Sequence, residues 1–366
     1  MRLCFVANPN IVHTERWLRY FVERDDEVHL LPYSPPERPL PPGVILHDLT
    51  AQTNVRKLRF VAWGLLARRI VRRLKPDVLH ALQVAGAGWL GAAAGYHPFI
   101  VSAWGSDLLL GPRRSRAQRR LARWVLHSAD HISCVSADLA YAAQALGGDP
   151  GRIQVEPLGI DSILFSPAAG PDTVRARFGL EPGPVVLSLR AMQGIYNPLD
   201  IAEAIPRVLE QIPSAQFVIR TYHADADVLA RFQAIIAAGG AGGAVHYIGE
   251  QSDDRAIAAL NQAADVAVSV PSSDGTPTSV LEAMGCGAVP VVSDLPSLHE
   301  WVQEGREALF VPVGDVAAIS DAIVRLLDDE PLRREMRANG LDLIRRRADS
   351  RVWMAHANEI YEGLCR

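Results

Sequence analysis

The chain has 366 residues, 49% of them apolar and 21% charged, with 28 Gly and 25 Pro spread along it. That length asks for two cores, and that composition excludes a disordered, collagen-like or coiled-coil protein. The formal net charge of −4 hides a bias, because all but two of the 37 basic residues are arginine, the exceptions being Lys57 and Lys75.

The first apolar run, 3–7, stops at Asn8-Pro9-Asn10, too short for a signal peptide, and no later run is long enough to span a membrane. Short apolar or β-branched runs then alternate with amphipathic stretches, which predicts βα units and a parallel sheet. The first series places strands at 3–7, 27–31, 78–81, 99–103, 131–135 and 153–155; the second at 185–189, 217–220, 245–248, 266–270, 289–293 and 309–311. Between them, 157–171 is rich in Pro and Gly and reads as a linker with its boundary near 168. The expectation is an α/β protein of two doubly wound, Rossmann-like domains, 1–168 and 169–348, facing a central cleft at the carboxyl ends of their strands. The tail, 349–366, has helical spacing at Trp353, Ala357, Ile360, Tyr361 and Leu364, and is expected to return to the first domain. Four separated cysteines, Cys4, Cys134, Cys286 and Cys365, suggest neither a zinc site nor a disulfide framework and fit the cytoplasm.

Residues 265–294 are the most informative. A buried strand ends near Val270, a loop of small and hydroxyl residues follows, and a helix starts near Thr278 after Pro277. The unpaired N–H groups and positive dipole of such a helix start suit a diphosphate at Gly275, Thr276, Pro277, Thr278 and Ser279. One turn further in, Glu282 is placed to accept hydrogen bonds from a ribose diol.

Here the chain resembles the family 4 retaining glycosyltransferases of the GT-B fold. Their acidic-x7-Glu motif is mirrored by Asp274 and Glu282 within Ser272-Ser273-Asp274-Gly275 to Glu282-Ala283-Met284-Gly285-Cys286-Gly287. The likeness continues through Pro290-Val291-Val292-Ser293, Glu304-Gly305 and Leu309-Phe310-Val311-Pro312, and back to Pro157-Leu158-Gly159-Ile160-Asp161 and Trp104-Gly105-Ser106-Asp107. It implies that Glu282 holds the donor ribose, that Asp274 and the 275–278 backbone meet donor sugar and phosphates, and that Arg190 contacts the diphosphate. Gly249 and Glu250, following the strand 245–248, complete the donor side. No cofactor or metal is implied; the donor is a nucleotide-sugar, and the acceptor a glycan, lipid or small molecule.

Departures from the family pattern are specific. The usual Lys-Gly after the arginine is replaced by Gly194-Ile195-Tyr196-Asn197, so Tyr196 and Asn197 are expected to hydrogen-bond phosphate without its countercharge. Arg220, in Arg220-Thr221-Tyr222-His223, is a candidate substitute cation. On the acceptor side, Trp104 stands where relatives carry histidine, beside Asp107, while Asn10, His13 and His80 sit after strands.

Other motifs fall away. Asp225-Ala226-Asp227 resembles a metal triplet but opens a helical pattern, so helix capping explains it. No Gly-x-Gly-x-x-Gly follows the first strand, which argues against an NAD(P) enzyme. The segments 56–75 and 113–123 hold 14 of the 37 basic residues, with no acid and with an apolar face in the first, the pattern of a helix on an anionic membrane surface at the inner face of the membrane. Nucleic acid is not expected, because no stacking platform accompanies the charge. The rival readings are a nucleotide-sugar epimerase of the same architecture and a non-catalytic nucleotide- or sugar-binding relative.

Overall fold

The computed structural model describes residues 1–49, 59–249, 251 and 253–365. It divides into two compact units: Met1–Pro157 together with Val352–Arg366, and Leu158–Arg351.

In the first unit, β1 (Arg2–Ala7), β2 (Glu27–Pro32), β3 (Ile45–Leu46), β4 (Val78–Ala81), β5 (Phe99–Ala103), β6 (His131–Cys134) and β7 (Ile153–Val155) form one sheet in the order β3-β2-β1-β4-β5-β6-β7. In the second, β8 (Val185–Ser188), β9 (Gln216–Arg220), β10 (Val245–Ile248), β11 (Val266–Ser269), β12 (Val289–Ser293) and β13 (Leu309–Val311) run β10-β9-β8-β11-β12-β13. Every pairing is parallel. Helices cover both faces of such sheets, so central strands are apolar throughout rather than alternating; β5, β8 and β11 are buried at every residue. This is why the strand runs are visible in the sequence. The exposed two-residue β3 at the sheet edge was not among the expected strands, because two residues carry no periodicity.

The boundary lies at Pro157 and Leu158, not near 168. Phe165, 1% exposed, packs with Ile160, Met284, Trp301 and Leu343 in the second unit's core, so the Pro-rich stretch is structure rather than linker. The backbone of Ile160 exchanges hydrogen bonds with Ala348 and Ser350, and Asp161 Oδ1 accepts from the N–H groups of Ile163 and Leu164. The tail helix spans Ser350–Leu364, with Val352 onward in the first unit.

The helix Thr278–Cys286 after β11 is buried from Val280 to Cys286. A Cβ on Gly285 would stand 2.6 Å from the Phe165 carbonyl, and Gly287 ends the helix at φ 96°, where a Cβ would meet Arg337 at 2.7 Å. The Gly-Cys-Gly of the motif is therefore a close-packing and helix-ending device.

Candidate functional site

In the second unit Arg190, Arg220 and Asp274 lie at or just beyond the ends of β8, β9 and β11. Arg190 follows β8 by two residues. Its Nη1 donates to Asp274 Oδ2 at 2.9 Å and to Ser279 Oγ at 3.0 Å, and its guanidinium lies over the Tyr196 ring, 4.3 Å from the centroid. Burial works against its charge, but Asp274, Tyr196 and Tyr222 outweigh that effect and hold the guanidinium more firmly protonated. The ion pair is largely buried, with side-chain exposures of 13% and 12%. A buried, hydrogen-bonded guanidinium is a preset anion receptor whose fork matches phosphate oxygens.

The loop carrying Asp274 is fixed from several sides. The Asn197 amide donates to the Val270 carbonyl and to Ser272 Oγ, both at 2.9 Å, and the Ser272 N–H donates to the Ile195 carbonyl at 2.9 Å. Asn197 is therefore a brace between two loops, held at φ 48°, and its amide hydrogens are committed to protein rather than to phosphate. Tyr196 offers its ring face to Arg190. Asp274 Oδ1 accepts from the Gly275 N–H at 3.0 Å, so the carboxylate expected to face the sugar is engaged with Arg190 and its own loop.

Pro277 precedes the helix Thr278–Cys286, whose start receives no side-chain cap. Glu282, 7% exposed, lies within its first turns, and its charge helps push the Cys286 thiol up, after burial. Glu282 also acts on the Tyr222 phenol, which burial raises and which Arg220, Tyr196 and Arg190 influence too. The structure thus brings Arg190, Tyr196, Asp274, Ser279, Glu282, Arg220 and Tyr222 into one electrostatic neighbourhood. Thr276 is buried in the loop, Gly249 is exposed after β10, and Glu250 lies outside the described residues.

The first unit uses its polar side chains differently. His80, expected at the acceptor side, is in the core: its Nδ1 lies 2.5 Å from the Tyr361 hydroxyl and its Nε2 2.8 Å from Ser102 Oγ, while Trp17 Nε1 donates to the same Tyr361 oxygen at 3.1 Å. Burial, then the charge of His131, pushes its pKa down to about 3. A ring inside the strand β4 turns to the sheet face that the tail helix covers, so His80 fixes the tail and is not available to a substrate. Asn10 is also structural, donating to the Pro35 carbonyl at 3.0 Å and accepting from the Glu37 N–H at 2.8 Å. His13 and Trp104 do meet, edge to face at 5.9 Å. Asp107 accepts from the N–H groups of Val84, Gly105 and Trp104 at 2.8, 2.9 and 3.3 Å, tying the loops after β4 and β5 together. Beside it opens a cavity of about 280 Å³ lined by Gln83, Trp89, Ser106, Arg114 and Gln118.

Comparison with known families bears on both units. Residues 172–342 match the model described as "Glycosyl transferases group 1", and residues 2–136 match "Glycosyl transferase 4-like". The chain belongs to the group 1, family 4 type of glycosyltransferases. Among curated relatives, a phosphatidyl-myo-inositol mannosyltransferase of Mycobacterium leprae is 30% identical over 58% of this chain and 56% of its own length. A D-inositol 3-phosphate glycosyltransferase of Pseudarthrobacter chlorophenolicus is 25% identical over 81% of this chain and 75% of its own. The match to the mycobacterial relative thus spans little more than half of that protein. Among solved structures, Anabaena HepE in complex with UDP and glucose superposes with a TM-score of 0.85 at 17% identity, covering all of both chains, which establishes the GT-B fold.

The Asp225-Ala226-Asp227 triplet sits at a helix start. Asp225 stands at the N-cap of the helix Ala226–Ala238 and Asp227 in its first turn, although Asp225 makes no side-chain capping bond, so dipole complementarity rather than a cap explains the pair. Among the described residues no group of three or more His, Cys, Asp or Glu side chains is arranged to hold a metal ion. Sequence reasoning passed over Tyr361, which it took only as part of the tail's apolar stripe, and Gln83 and Trp89, which line the cavity. Gln83 has a readable signal, since it comes two residues after β4.

Proposed function

We propose that this glycosyltransferase moves a sugar, with retention of anomeric configuration and without a divalent metal, from a nucleoside-diphosphate sugar held by the second unit to a hydroxyl acceptor seated in the first unit's cavity. The observation that carries the reading is the buried Arg190, anchored on Asp274 and Ser279 beside an uncapped helix start that carries the buried Glu282. A cation and the positive end of a helix dipole on one side and a buried carboxylate one turn further match a diphosphate and the ribose beyond it. The bond from the anomeric carbon to the diphosphate breaks, the acceptor oxygen takes its place, and the acceptor proton passes to the departing phosphate. Arg190 and the helix start stabilise the charge that grows on that leaving group. The UDP and glucose named in the HepE structure support a nucleotide-sugar donor.

The acceptor cavity combines an aromatic ring, Trp89, with Gln83, Ser106, Gln118 and a guanidinium, Arg114, which forms no ion pair among the described residues. That mixture suits a polyol. The relatives' names, which include inositol phosphate and phosphatidylinositol, point the same way.

Attachment to an anionic membrane is part of the proposal. In the helix Arg59–Leu74, Val61 and Leu65 are 63% and 66% exposed beside the exposed Arg68, Arg69, Arg72 and Arg73. The helix Arg116–Ser128 exposes Arg116, Arg119, Arg120, Arg123 and Trp124, and both helices pack on the helix Ala87–Ala94. Residues 56–58 of the first basic segment lie outside the described residues. No helix among the described residues is long and apolar enough to cross a membrane.

Incubation of the purified chain with a panel of nucleotide-sugars and polyol acceptors tests the whole reading. Transfer, or slow donor hydrolysis, that persists in excess EDTA is expected, and the product's anomeric configuration is read by NMR. Epimerised donor, or binding without turnover, would replace the reading by one of its rivals.

A further inference from the structure

The chain has no lysine after Lys75, so every fixed cation in the second unit is an arginine. We infer that Arg220 is the second cation of the diphosphate site, seated on the face of Tyr222 as Arg190 is seated on the face of Tyr196. The inference rests on the donor site proposed above and adds to it a residue that the family pattern does not supply.

Topology places the two arginines side by side. Strands β8 and β9 are parallel neighbours in a register that pairs Ser188 with Ile219, so the residues that follow leave the sheet together. Arg220 ends β9, and Arg190 comes two residues beyond β8. The Met192 N–H donates to the Tyr222 carbonyl at 3.2 Å, which stitches the two departing loops.

The two guanidiniums are mounted alike. Arg190 lies 4.3 Å from the centroid of Tyr196 and Arg220 3.9 Å from that of Tyr222. A planar guanidinium can lie flat on a phenol ring and still direct N–H groups in its own plane, which an ammonium cannot. Arg220 Nη2 also donates to the Gln251 carbonyl at 3.0 Å, and the side chain is only 7% exposed, so its position is set before any ligand arrives. Tyr222 feels Arg220, Tyr196, Arg190 and Glu282 together, which puts both cations within electrostatic reach of one ring. Arg190 already shares its charge with Asp274, and a diphosphate carries more negative charge than one shared guanidinium offsets. Arg220 thus replaces by a different strand the charge that a lysine after Arg190 would bring.

Calorimetry on the full chain decides the point. The probe is the nucleoside diphosphate that binds tightest among those of uridine, guanosine and adenosine, with the matching nucleoside as a phosphate-free competitor. Arg220→Gln, which keeps a donor for the Gln251 carbonyl but no charge, should weaken the diphosphate about tenfold or more, the loss of a charge-assisted hydrogen bond. Arg220→Lys should weaken it about threefold, and the gap between the two variants should narrow as salt rises from about 0.05 M to about 0.5 M, because screening acts on charge and not on packing. Nucleoside affinity should stay at the wild-type value in both. Equal losses for Gln and Lys, or a nucleoside loss matching the diphosphate loss, would overturn the assignment and leave Arg220 a structural residue. Glu282→Ala separates this failure from failure of the donor site: if that variant weakens the diphosphate while Arg220→Gln does not, the site stands and only Arg220 falls. A wild-type chain that binds none of the three diphosphates removes both.

Discussion

His80 and Arg190 occupy similar places in the two units, each near the carboxyl end of a central strand of a doubly wound sheet, yet they do opposite things. His80 sits inside β4, paired with Phe5 and Ile100, and its ring is held on the sheet face by Tyr361, Trp17 and Ser102. Arg190 stands two residues past β8, beyond the last pairing, where no sheet face claims it. Three positions along the strand direction, from one residue before the strand end to two beyond it, thus separate a core brace from a candidate ligand group. A polar residue near a strand end is a site residue only when it clears the sheet and the packing elements leave its polar atoms something else to meet.

The largest expected effect breaks the Arg190 side of this comparison. Arg190→Ala should lower turnover by about 10²–10³, the usual loss when a preset donor facing developing charge is removed. Arg190→Lys should recover little of it, since an ammonium lacks the planar fork that matches phosphate oxygens. Glu282→Ala should instead weaken nucleoside diphosphate binding by about 1.5–3 kcal/mol, because its contact exists before reaction as well as during it. Initial rates and calorimetry read the two effects, and undiminished nucleotide binding by Glu282→Ala would move the donor site elsewhere.

On the His80 side, Tyr361→Phe removes the hydroxyl shared by His80 and Trp17 and leaves buried polar atoms unpaired. Stability should fall by about 1–3 kcal/mol, seen as a lower denaturant midpoint, with nucleotide affinity unchanged. A Tyr361→Phe chain that is stable but loses nucleotide binding would reverse the roles assigned to the two ends.

The same network carries a pH signature. His80 titrates near pH 3 when folded, against about 6.5 when unfolded. Between those values the unfolded chain binds a proton that the folded chain refuses. This contribution to stability is therefore complete above about pH 6.5 and declines as pH falls, by about 2 kcal/mol at pH 5. His80→Gln should flatten that part of the stability curve, and an unchanged slope would show that other groups govern it.

The smallest effect concerns the basic surface. Exchanging Arg120 for Gln should cost about 1 kcal/mol of attachment to anionic vesicles at low salt, with none on neutral ones. Equal sedimentation with both vesicle types would make the surface ordinary.

Much of this was legible before any coordinates. All six expected strands of each series are present to within a residue or two, because strands buried on both faces must be written as apolar runs. The helix start after Pro277 and the place of Glu282 within it followed from turn chemistry and the family motif, since local backbone preferences set both. The sequence alone therefore determined two parallel sheets, their order of elements and the helix start after Pro277. What packs against that loop was decided only in three dimensions. Asn197 bridges to Val270 and Ser272 from more than seventy residues away, Asp274 turns to Arg190, and Tyr361 reaches His80 across most of the chain. No spacing encodes such pairs. A buried polar atom takes whichever partner the fold brings within about 3 Å, and that partner settles whether the residue holds the protein together or holds a ligand.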